Sequence, residues 1–293
     1  MSFFGSIVAL VTPFDDNFAL DRNAFDNLLE WHLEQKTDGL VLLGTTGESP
    51  TLNTDEKLYI IKRAVEIVKK NIPIVIGTGT NDTKTTVEFT NRSKELGADG
   101  ALVIAPYYNR PTQKGCLAHF AEVSKLDFPI IVYHHPKRTG FTFTIDTLNE
   151  LSKLKNIVSI KEASGDLNFI QSIESLPILS GDDDLTFTLL KKGATGSISV
   201  IANVMPSLWK EMHDLCLSHK YEKAEKIVQK LTPLIKAFNL EPNPQCVKYA
   251  LRCLGLCKSH LRLPMIEPND FTKKEIKEAL SQTSTFEIEA LNP

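Results

Sequence analysis

The stretch GADGALVIA, residues 97–105, is the most informative for the fold, because it carries the chain directly from the end of a helix into a buried strand. Residues 101–105 are apolar at consecutive positions, as in a parallel strand that helices cover on both faces. Gly97 stands where the helix should end, and glycine readily adopts the left-handed conformation that ends a helix. Asp38-Gly39 and GATG, residues 193–196, occupy the same place. Because the same glycine-containing pattern occurs at three places between a helix and a strand, it predicts a repeating helix–strand unit.

Short β-type runs alternate with amphipathic helical patterns over the first two thirds of the chain. The runs are at residues 7–12, 40–43, 72–76, 101–105, 129–133, 157–160, 178–180 and 197–200. The helical patterns between them are at 21–35, 53–69, 83–96, 115–125, 145–154, 167–174 and 185–191. Such a series, with strands roughly 20 to 35 residues apart, predicts an α/β protein with a (β/α)₈ TIM barrel. A doubly wound sheet of two halves is the alternative.

The strand signal stops near Val200, and the rest of the chain reads as helices at 205–218, 221–238, 244–254 and 272–282. A chain of 293 residues could hold two domains of ~150 residues, but an α/β barrel commonly needs about 250. We therefore expect residues 1–220 to form a catalytic barrel. Residues 221–293 are then a C-terminal helical extension of the same unit.

Composition and charge exclude several classes of function. Hydrophobic residues make up 42% of the chain and charged residues 24%, as in an ordinary globular protein. The net charge of −3 gives no electrostatic reason to expect a nucleic-acid or membrane partner. The chain lacks a window of ~18 apolar residues and a signal-peptide pattern. Its 5 scattered cysteines fit reduced thiols, so we expect a cytoplasmic protein.

Lys161 is the strongest candidate for catalysis. In a barrel, function collects at the carboxyl ends of the strands, and Lys161 directly follows the apolar run at 157–160. A lysine that emerges from a buried strand is desolvated, which lowers its pKa and frees the amine as a nucleophile. The alternative is a lysine that merely pairs with Glu162 or Asp182. From its position in the sequence, the two interpretations are about even.

Other polar residues follow neighbouring strands. Thr45-Thr46-Gly47 offers hydroxyl and N–H groups that could hold a carboxylate, or it is a plain loop. Tyr133, with Tyr107 and Tyr108, could relay protons or simply pack. Arg138 is a candidate clamp for a carboxylate, or a surface arginine.

Metal and dinucleotide sites have weaker support. His134 and His135 are adjacent, so on a strand they point to opposite faces and would not share a metal. Cys253, Cys257 and His260 fall on one helix face, but a fourth zinc ligand is missing, and buried cysteines are the better interpretation. We expect no metal. A dinucleotide fingerprint after the strand at 72–76 would need glycine where Asp82 stands.

Taken in order, these motifs resemble the dihydrodipicolinate synthase / N-acetylneuraminate lyase family of Schiff-base barrels, over nearly the whole chain and best in its synthase branch. The segments that carry the resemblance are ALVTPF (9–14), GTTGE (44–48), YYNRP (107–111), Tyr133 with Pro136, RTG (138–140), KEASGD (161–166) and SGDD (180–183). The resemblance implies a (β/α)₈ fold. It also implies a covalent imine on Lys161 in place of any cofactor.

In this family the lysine attacks pyruvate and forms an imine, whose enamine adds to L-aspartate 4-semialdehyde to give 4-hydroxy-tetrahydrodipicolinate in lysine and diaminopimelate biosynthesis. The resemblance assigns the catalytic roles to Lys161, Tyr133, Thr45 and Tyr108, the last reaching in from a neighbouring subunit. It further implies that Thr45 and Thr46 hold the pyruvate carboxylate, that Arg138 binds the semialdehyde carboxylate, and that Gly181 and Ile198 line the pocket through their backbones. The implied partners are these two substrates and further copies of the chain, in a homodimer or homotetramer.

The chain departs from the family pattern at two places. His134-His135 stand where Asn and an apolar residue are usual, and we expect His134 to titrate near neutral pH beside the site. Ser49, Asn81 and Tyr107 match the lysine-feedback site of sensitive members. There, Thr54, Lys57 and Thr85 replace two histidines and a glutamate. Without that carboxylate, and with Lys57 repelling the ammonium group, we predict weak or absent inhibition by L-lysine.

Three other functions stay open at this stage. A related pyruvate aldolase, acting on N-acetylneuraminate or a 2-keto-3-deoxy sugar acid, would share the fold and the lysine but generally lacks an arginine at 138. A non-catalytic barrel that binds a small acid is disfavoured by intact Lys161, Tyr133, Thr45 and Tyr108. A nicotinamide-dependent dehydrogenase is disfavoured by Asp82.

Overall fold

The computed structural model describes residues 3–284. Eight parallel strands pair in sequence order and close into a barrel, so the expected (β/α)₈ TIM barrel is confirmed and the doubly wound sheet was the wrong alternative. The strands are β1 (Gly5–Ala9), β2 (Gly39–Leu42), β3 (Ile74–Gly77), β4 (Gly100–Ile104), β5 (Ile130–His134), β6 (Ile157–Glu162), β7 (Ile178–Ser180) and β8 (Gly196–Ser199). Each lies within a few residues of a predicted run.

The helices between and after the strands also match the predicted pattern, with shifted ends. They are α1 (Arg22–Glu34), α2 (Thr54–Val68), α3 (Thr83–Glu95), α4 (Gln113–Ser124), α5 (Pro136–Thr139), α6 (Ile145–Ser152), α7 (Leu167–Gln171), α8 (Asp183–Lys191), α9 (Pro206–Leu217), α10 (Tyr221–Phe238), α11 (Gln245–Cys253) and α12 (Asp270–Ser284). The four-residue α5 was not predicted. Neither were the 3₁₀ turns Ser49–Thr51 and Ile201–Asn203.

The repeated segment at residues 97–100 combines a helix-ending glycine with a polar residue before the strand. The sequence analysis predicted only the glycine. Gly97 and Gly193 have φ of +97° and end their helices as expected, but Lys36 takes the left-handed conformation before β2, and Gly39 belongs to the strand. The three segments share a polar residue just before a strand. Its side chain forms a hydrogen bond with the backbone of the preceding strand. Asp38 accepts from Ser6 N–H (2.8 Å), Asp99 accepts from Ile74 N–H (2.9 Å), and the Thr195 hydroxyl donates to the Ile178 carbonyl (3.2 Å).

The core has two layers because alternate residues of a strand face opposite sides. A small cluster fills the barrel interior and includes Ile7, Val41, Leu102, Ile131 and Ile198, with Tyr133 near its top. The opposite faces of the strands join the helices in one large apolar cluster. The carboxyl ends of the strands are therefore the place where polar side chains can gather over a packed floor.

The C-terminal helices continue this packing. Helix α9 lies against β1, α10 packs on α8 and α9, and α12 packs on α10 and α11. No helix within residues 3–284 is long and apolar enough to cross a membrane.

Candidate active site

Lys161 and Tyr133 face each other at the top of the barrel. They are direct partners in the parallel pairing of β5 with β6, so both side chains point to the barrel interior. The Lys161 Nζ lies 4.5 Å from the centroid of the Tyr133 ring, and each residue is only 7% exposed. The strand pairing thus places an amine beside a phenol in a nearly water-free position.

Burial sets the acid–base properties of this pair. It lowers the pKa of Lys161 from 10.5 to about 8, although Asp182 and Asp183 oppose the shift. Burial also raises the pKa of Tyr133 well above its usual range, while Arg138 and hydrogen bonding with Thr45 act in the opposite direction. The lowered pKa of Lys161 fits the desolvation expected for a lysine at the end of a buried strand. In the described part of the chain Lys161 forms no salt bridge, and Glu162 pairs with His134 instead.

A cavity of about 420 Å³ opens over Lys161 and Tyr133. Thr45 and Thr46 line one wall, where the Thr46 hydroxyl accepts from the Asn243 side-chain amide (2.9 Å). Gly181 also lines the cavity, whereas Ile198, which was expected there, is not part of its lining and lies fully buried in the barrel interior. The two threonines thus offer hydroxyl groups to the space above Lys161, as a carboxylate site requires.

Arg138 lies at the rim of this cavity, on the short helix α5. The adjacent His135 also lines it, and burial with Arg138 and Lys161 nearby lowers the His135 pKa to about 4. Carboxylates occupy the other side. There, burial and the neighbouring Asp184 raise the pKa of Asp182 to about 6. The cavity lining therefore contains both basic and acidic side chains, which can interact with anionic and cationic groups of a ligand.

His134 lies outside the cavity, so the expectation that its side chain would stand at the site is wrong. Tyr133 points inward, and its neighbour must then point outward into the layer between strands and helices. There His134 is fully buried and hydrogen-bonded to Glu162 (2.7 Å). The histidine that reaches the site is His135.

A second cavity of about 290 Å³ adjoins the first and shares Thr45, Tyr133 and Arg138 with it. Its outer wall includes Ser49, Lys57 and Tyr107. Four further predicted residues lie outside its lining. Tyr108 is 88% exposed, and Thr54 is exposed as well. The Asn81 carbonyl accepts a hydrogen bond from the Asn109 side chain. The Thr85 hydroxyl donates to the Asp82 carboxylate.

Comparison with known proteins identifies the family of the chain. The model of the dihydrodipicolinate synthetase family matches residues 2–283. The chain belongs to this family. The curated 4-hydroxy-tetrahydrodipicolinate synthase of Coxiella burnetii is 42% identical over 287 residues, covering 96% of this chain and 98% of that protein. The synthase of Thermotoga neapolitana is also 42% identical, over 96% of this chain and 99% of its own length.

Solved structures of family members superpose closely. The crystal structure of dihydrodipicolinate synthase from Aquifex aeolicus gives a TM-score of 0.93 at 42% identity, over 96% of this chain and 98% of that one. The enzyme from Thermotoga maritima gives 0.94 at 39% identity, over 97% and 99%.

The glycines of the disfavoured dinucleotide fingerprint have a structural explanation. A Cβ on Gly77 would come within 2.4 Å of the Leu43 carbonyl oxygen, and one on Gly79 within 2.5 Å of the Ile104 nitrogen. These glycines allow neighbouring strand ends to approach each other. No group of three or more potential metal ligands occurs in residues 3–284, a range that includes Cys253, Cys257 and His260.

Sequence reasoning missed Asn243, and it gave Asp182 and His135 no role in the site. Asn243 holds Thr46 from 197 positions away, a separation that no local pattern reveals. Asp182 and His135 line the main cavity, and both follow strands whose ends were already marked as polar. The sequence analysis considered Asp182 as an ion-pair partner of Lys161 and His135 as a metal ligand, not as residues that line a cavity.

Proposed function

We propose that Lys161 forms an imine with pyruvate and that this imine carries the whole reaction. The chain is an enzyme of the lyase type that condenses pyruvate with L-aspartate 4-semialdehyde to give 4-hydroxy-tetrahydrodipicolinate in lysine biosynthesis. The observation that supports the role of Lys161 is its burial beside Tyr133, with a pKa of about 8. An amine with such a pKa is about one tenth neutral at pH 7, a far larger fraction than for a lysine with the usual pKa, and the neutral amine is the form that attacks a ketone.

The chemistry then follows from the imine. The Lys161 amine adds to the C2 ketone of pyruvate, and loss of water gives a protonated imine. This imine withdraws electrons, so C3 loses a proton and becomes a nucleophilic enamine carbon. The enamine adds to the aldehyde carbon of the second substrate, and the aldehyde oxygen takes up a proton. Attack of the substrate's own amine on C2 closes the ring and releases Lys161, so no external cofactor is needed.

Tyr133 is the proposed proton carrier, because its hydroxyl stays protonated and its ring lies 4.5 Å from the amine. Thr45 contacts it by a hydrogen bond and links it outward, and Tyr108 of a second copy completes the relay. Thr45 and Thr46 hold the pyruvate carboxylate, with Gly181 and Ile198 forming the pocket around C3. Arg138 at the rim binds the carboxylate of the semialdehyde.

The experiment that tests this role is reductive trapping. The protein is incubated with pyruvate, treated with borohydride and weighed, and the adduct is mapped by peptide analysis. We expect a stable pyruvyl adduct on Lys161, and none in Lys161→Ala. An adduct on another lysine, or none, would refute the assignment. A parallel assay with aspartate semialdehyde and N-acetylmannosamine as acceptors separates the synthase from a sialic-acid aldolase.

The second cavity is the proposed effector site, formed by Ser49, Tyr107 and the nearby Asn81. Lys57 is half-buried in its wall, where burial lowers the pKa of its amine. A cation there repels the ammonium groups of L-lysine. We therefore expect less than twofold inhibition by about 1 mM L-lysine, whereas strong inhibition at submillimolar lysine would refute this proposal. Lys57→Glu, which supplies a carboxylate, should increase the sensitivity.

We also propose a homodimer or homotetramer that works in the cytoplasm. The five cysteines are free thiols, which fits a reducing compartment. Tyr108 supports an oligomer, because an exposed aromatic side chain outside the cavity can serve a relay only in a neighbouring copy.

A further inference from the structure

His134 and Glu162 form a buried pair directly behind the reacting groups. They are partners one step along from Tyr133 and Lys161 in the pairing of β5 with β6. Since successive residues of a strand face opposite sides, this pair lies on the outer face of the barrel wall. Both side chains are 0% exposed, and His134 Nδ1 lies 2.7 Å from Glu162 Oε2.

The surrounding hydrogen bonds fix the orientation of both side chains. Phe143 donates its N–H to His134 Nε2 (3.3 Å), so Nε2 is the acceptor and Nδ1 carries the proton toward Glu162. Glu162 Oε1 accepts from the Ser164 N–H (2.6 Å). Both carboxylate oxygens therefore accept, and both imidazole nitrogens are used. The rings of Phe143 and Phe169 lie 5.3 and 5.2 Å from the imidazole and close the space around it.

The backbones of the same two residues join three strands. The Ala163 N–H donates to the His134 carbonyl (2.9 Å), and the Gly181 N–H donates to the Glu162 carbonyl (2.7 Å). The pairing of β5 with β6 is irregular lower down, where its register shifts between Ile130 and Ile131. The hydrogen bond between His134 and Glu162, at the carboxyl end of β5 and β6, therefore helps to fix the register of the two strands above this irregularity.

We propose that His134 and Glu162 are positioning residues that hold the Tyr133 hydroxyl and the Lys161 amine in reacting geometry. The proposal rests on the imine role of Lys161 given above. Reactions between positioned groups are sensitive to errors of about 1 Å, which cost up to about 100-fold in rate. Neither residue reaches the cavity, so substrate affinity should change much less than the rate of imine formation.

The test uses three variants of the full chain. Glu162→Gln replaces one accepting oxygen with an NH₂ group, which then faces either the His134 N–H or the Ser164 N–H. His134→Phe removes both hydrogen bonds. His134→Asn keeps a donor that can meet Glu162 but is too short to reach the Phe143 N–H. The matched control is His213→Phe, because His213 is equally buried and hydrogen-bonded to Ser197 and Trp209 but lies on α9, away from the cavity.

Single-turnover trapping gives the rate of imine formation, steady-state kinetics give kcat and KM, and thermal unfolding reports the fold. We expect Glu162→Gln and His134→Phe to lower imine formation and kcat at least about tenfold, with the pyruvate KM within about threefold. His134→Asn should restore part of the loss, while His213→Phe should lower Tm but leave kcat within about twofold. If His134→Phe does not fold, Glu162→Gln and His134→Asn decide the matter.

Folded variants with kcat within about twofold of the parent would overturn the positioning role. So would a loss no larger than that of His213→Phe at equal stability. A parent protein that gives no pyruvyl adduct on Lys161 would refute the imine itself, which is a separate outcome.

Discussion

Lys161 reacts only as a neutral amine, so its pKa decides the pH range in which the enzyme works. Burial lowers that pKa to about 8, and Asp182 keeps it from falling further. Below pH 8 the amine is protonated, and above it the amine is neutral. We expect kcat/KM for pyruvate to rise with pH up to about 8 and then to level off.

Asp182→Asn provides the matched variant for this pH profile. Without the carboxylate, the protonated amine loses a favourable charge, so the rise should move to lower pH. Rate measurements between about pH 6 and 10 on both proteins give the two midpoints. A midpoint that stays in place, or moves upward, would show that Asp182 does not act on Lys161 in this way.

Gly181 is a second residue that affects the position of the Lys161 side chain. A Cβ at this position would lie 3.0 Å from Lys161 Cε and 2.8 Å from Ala163 Cβ. We therefore expect Gly181→Ala to displace the amine and to lower kcat about ten- to 100-fold, measured with saturating substrates.

The matched control for Gly181→Ala is Gly115→Ala in helix α4. There a Cβ would meet nothing closer than 3.5 Å, so activity should stay unchanged and stability should rise by about 0.5–1 kcal/mol. Equal activity of the two variants would refute the role of Gly181.

At the scale of single residues, the sequence predicted Lys161 because one local pattern, an apolar run that ends in a lysine, carried the signal. His134 was misplaced although the alternation of side chains along β5 already determined its direction. Once Tyr133 points inward, His134 must point outward. Asn243 could not be predicted, because its contact with Thr46 joins distant parts of the chain.

Among the elements, the turn after β2 depends on the C-terminal helices. Lys248 of α11 is 0% exposed, and its Nζ donates to Glu48 Oε1 (2.7 Å) and to the Thr12 carbonyl (2.8 Å). The other Glu48 oxygen accepts from the Arg262 N–H (3.0 Å). Glu48 directly follows Thr45-Thr46-Gly47 and has a left-handed backbone, with φ of 51°. These contacts support our proposal that the extension at 221–293 and the barrel at 1–220 form one unit, of which residues 285–293 lie outside the described part.

Lys248→Met tests this connection between the two parts of the chain. The substitution leaves a buried carboxylate without its cation, so we expect a loss of about 3–5 kcal/mol in the free energy of unfolding, measured in urea. Activity should fall as well, because the turn that carries Thr45 and Thr46 loses its support.

Two controls frame the Lys248→Met measurement. Lys274→Met breaks an exposed pair with Glu278 and should cost less than about 0.5 kcal/mol. The double variant Glu48→Gln with Lys248→Met removes both charges and should recover part of the loss. A single variant as stable as Lys274→Met would show that the extension does not stabilise the barrel.

The strands and most helices were predictable because buried parallel strands and amphipathic helices leave local patterns. The bounds shifted by a few residues because caps and tertiary contacts set them. The short helix α5 escaped notice since four residues show no periodicity. The network of Glu48, Lys248 and Arg262 joins positions about 200 apart and leaves no pattern in the sequence.

For the molecule as a whole, the position of Tyr108 bears on our proposal of an oligomer. It has a left-handed backbone with φ of 70° and lies mostly in solvent, outside the cavity of its own chain. If a second copy supplies this hydroxyl, each site is built from two chains. Two inactive variants with different defects can then form an active site in a mixed dimer. The fold was predictable from one sequence because strands and helices leave local patterns, whereas a site shared between copies depends on contacts between chains, which leave none.

Mixing two inactive variants tests this arrangement directly. Lys161→Ala lacks the nucleophile and Tyr108→Ala lacks the relay hydroxyl, so each homo-oligomer should be nearly inactive. In a mixed dimer, one site combines the intact Lys161 of one chain with the intact Tyr108 of the other. Random exchange of equal amounts should therefore restore about a quarter of the parent activity. Activity that stays at the level of the separate variants, despite exchange verified by native mass spectrometry, would place Tyr108 in its own chain's site or outside catalysis.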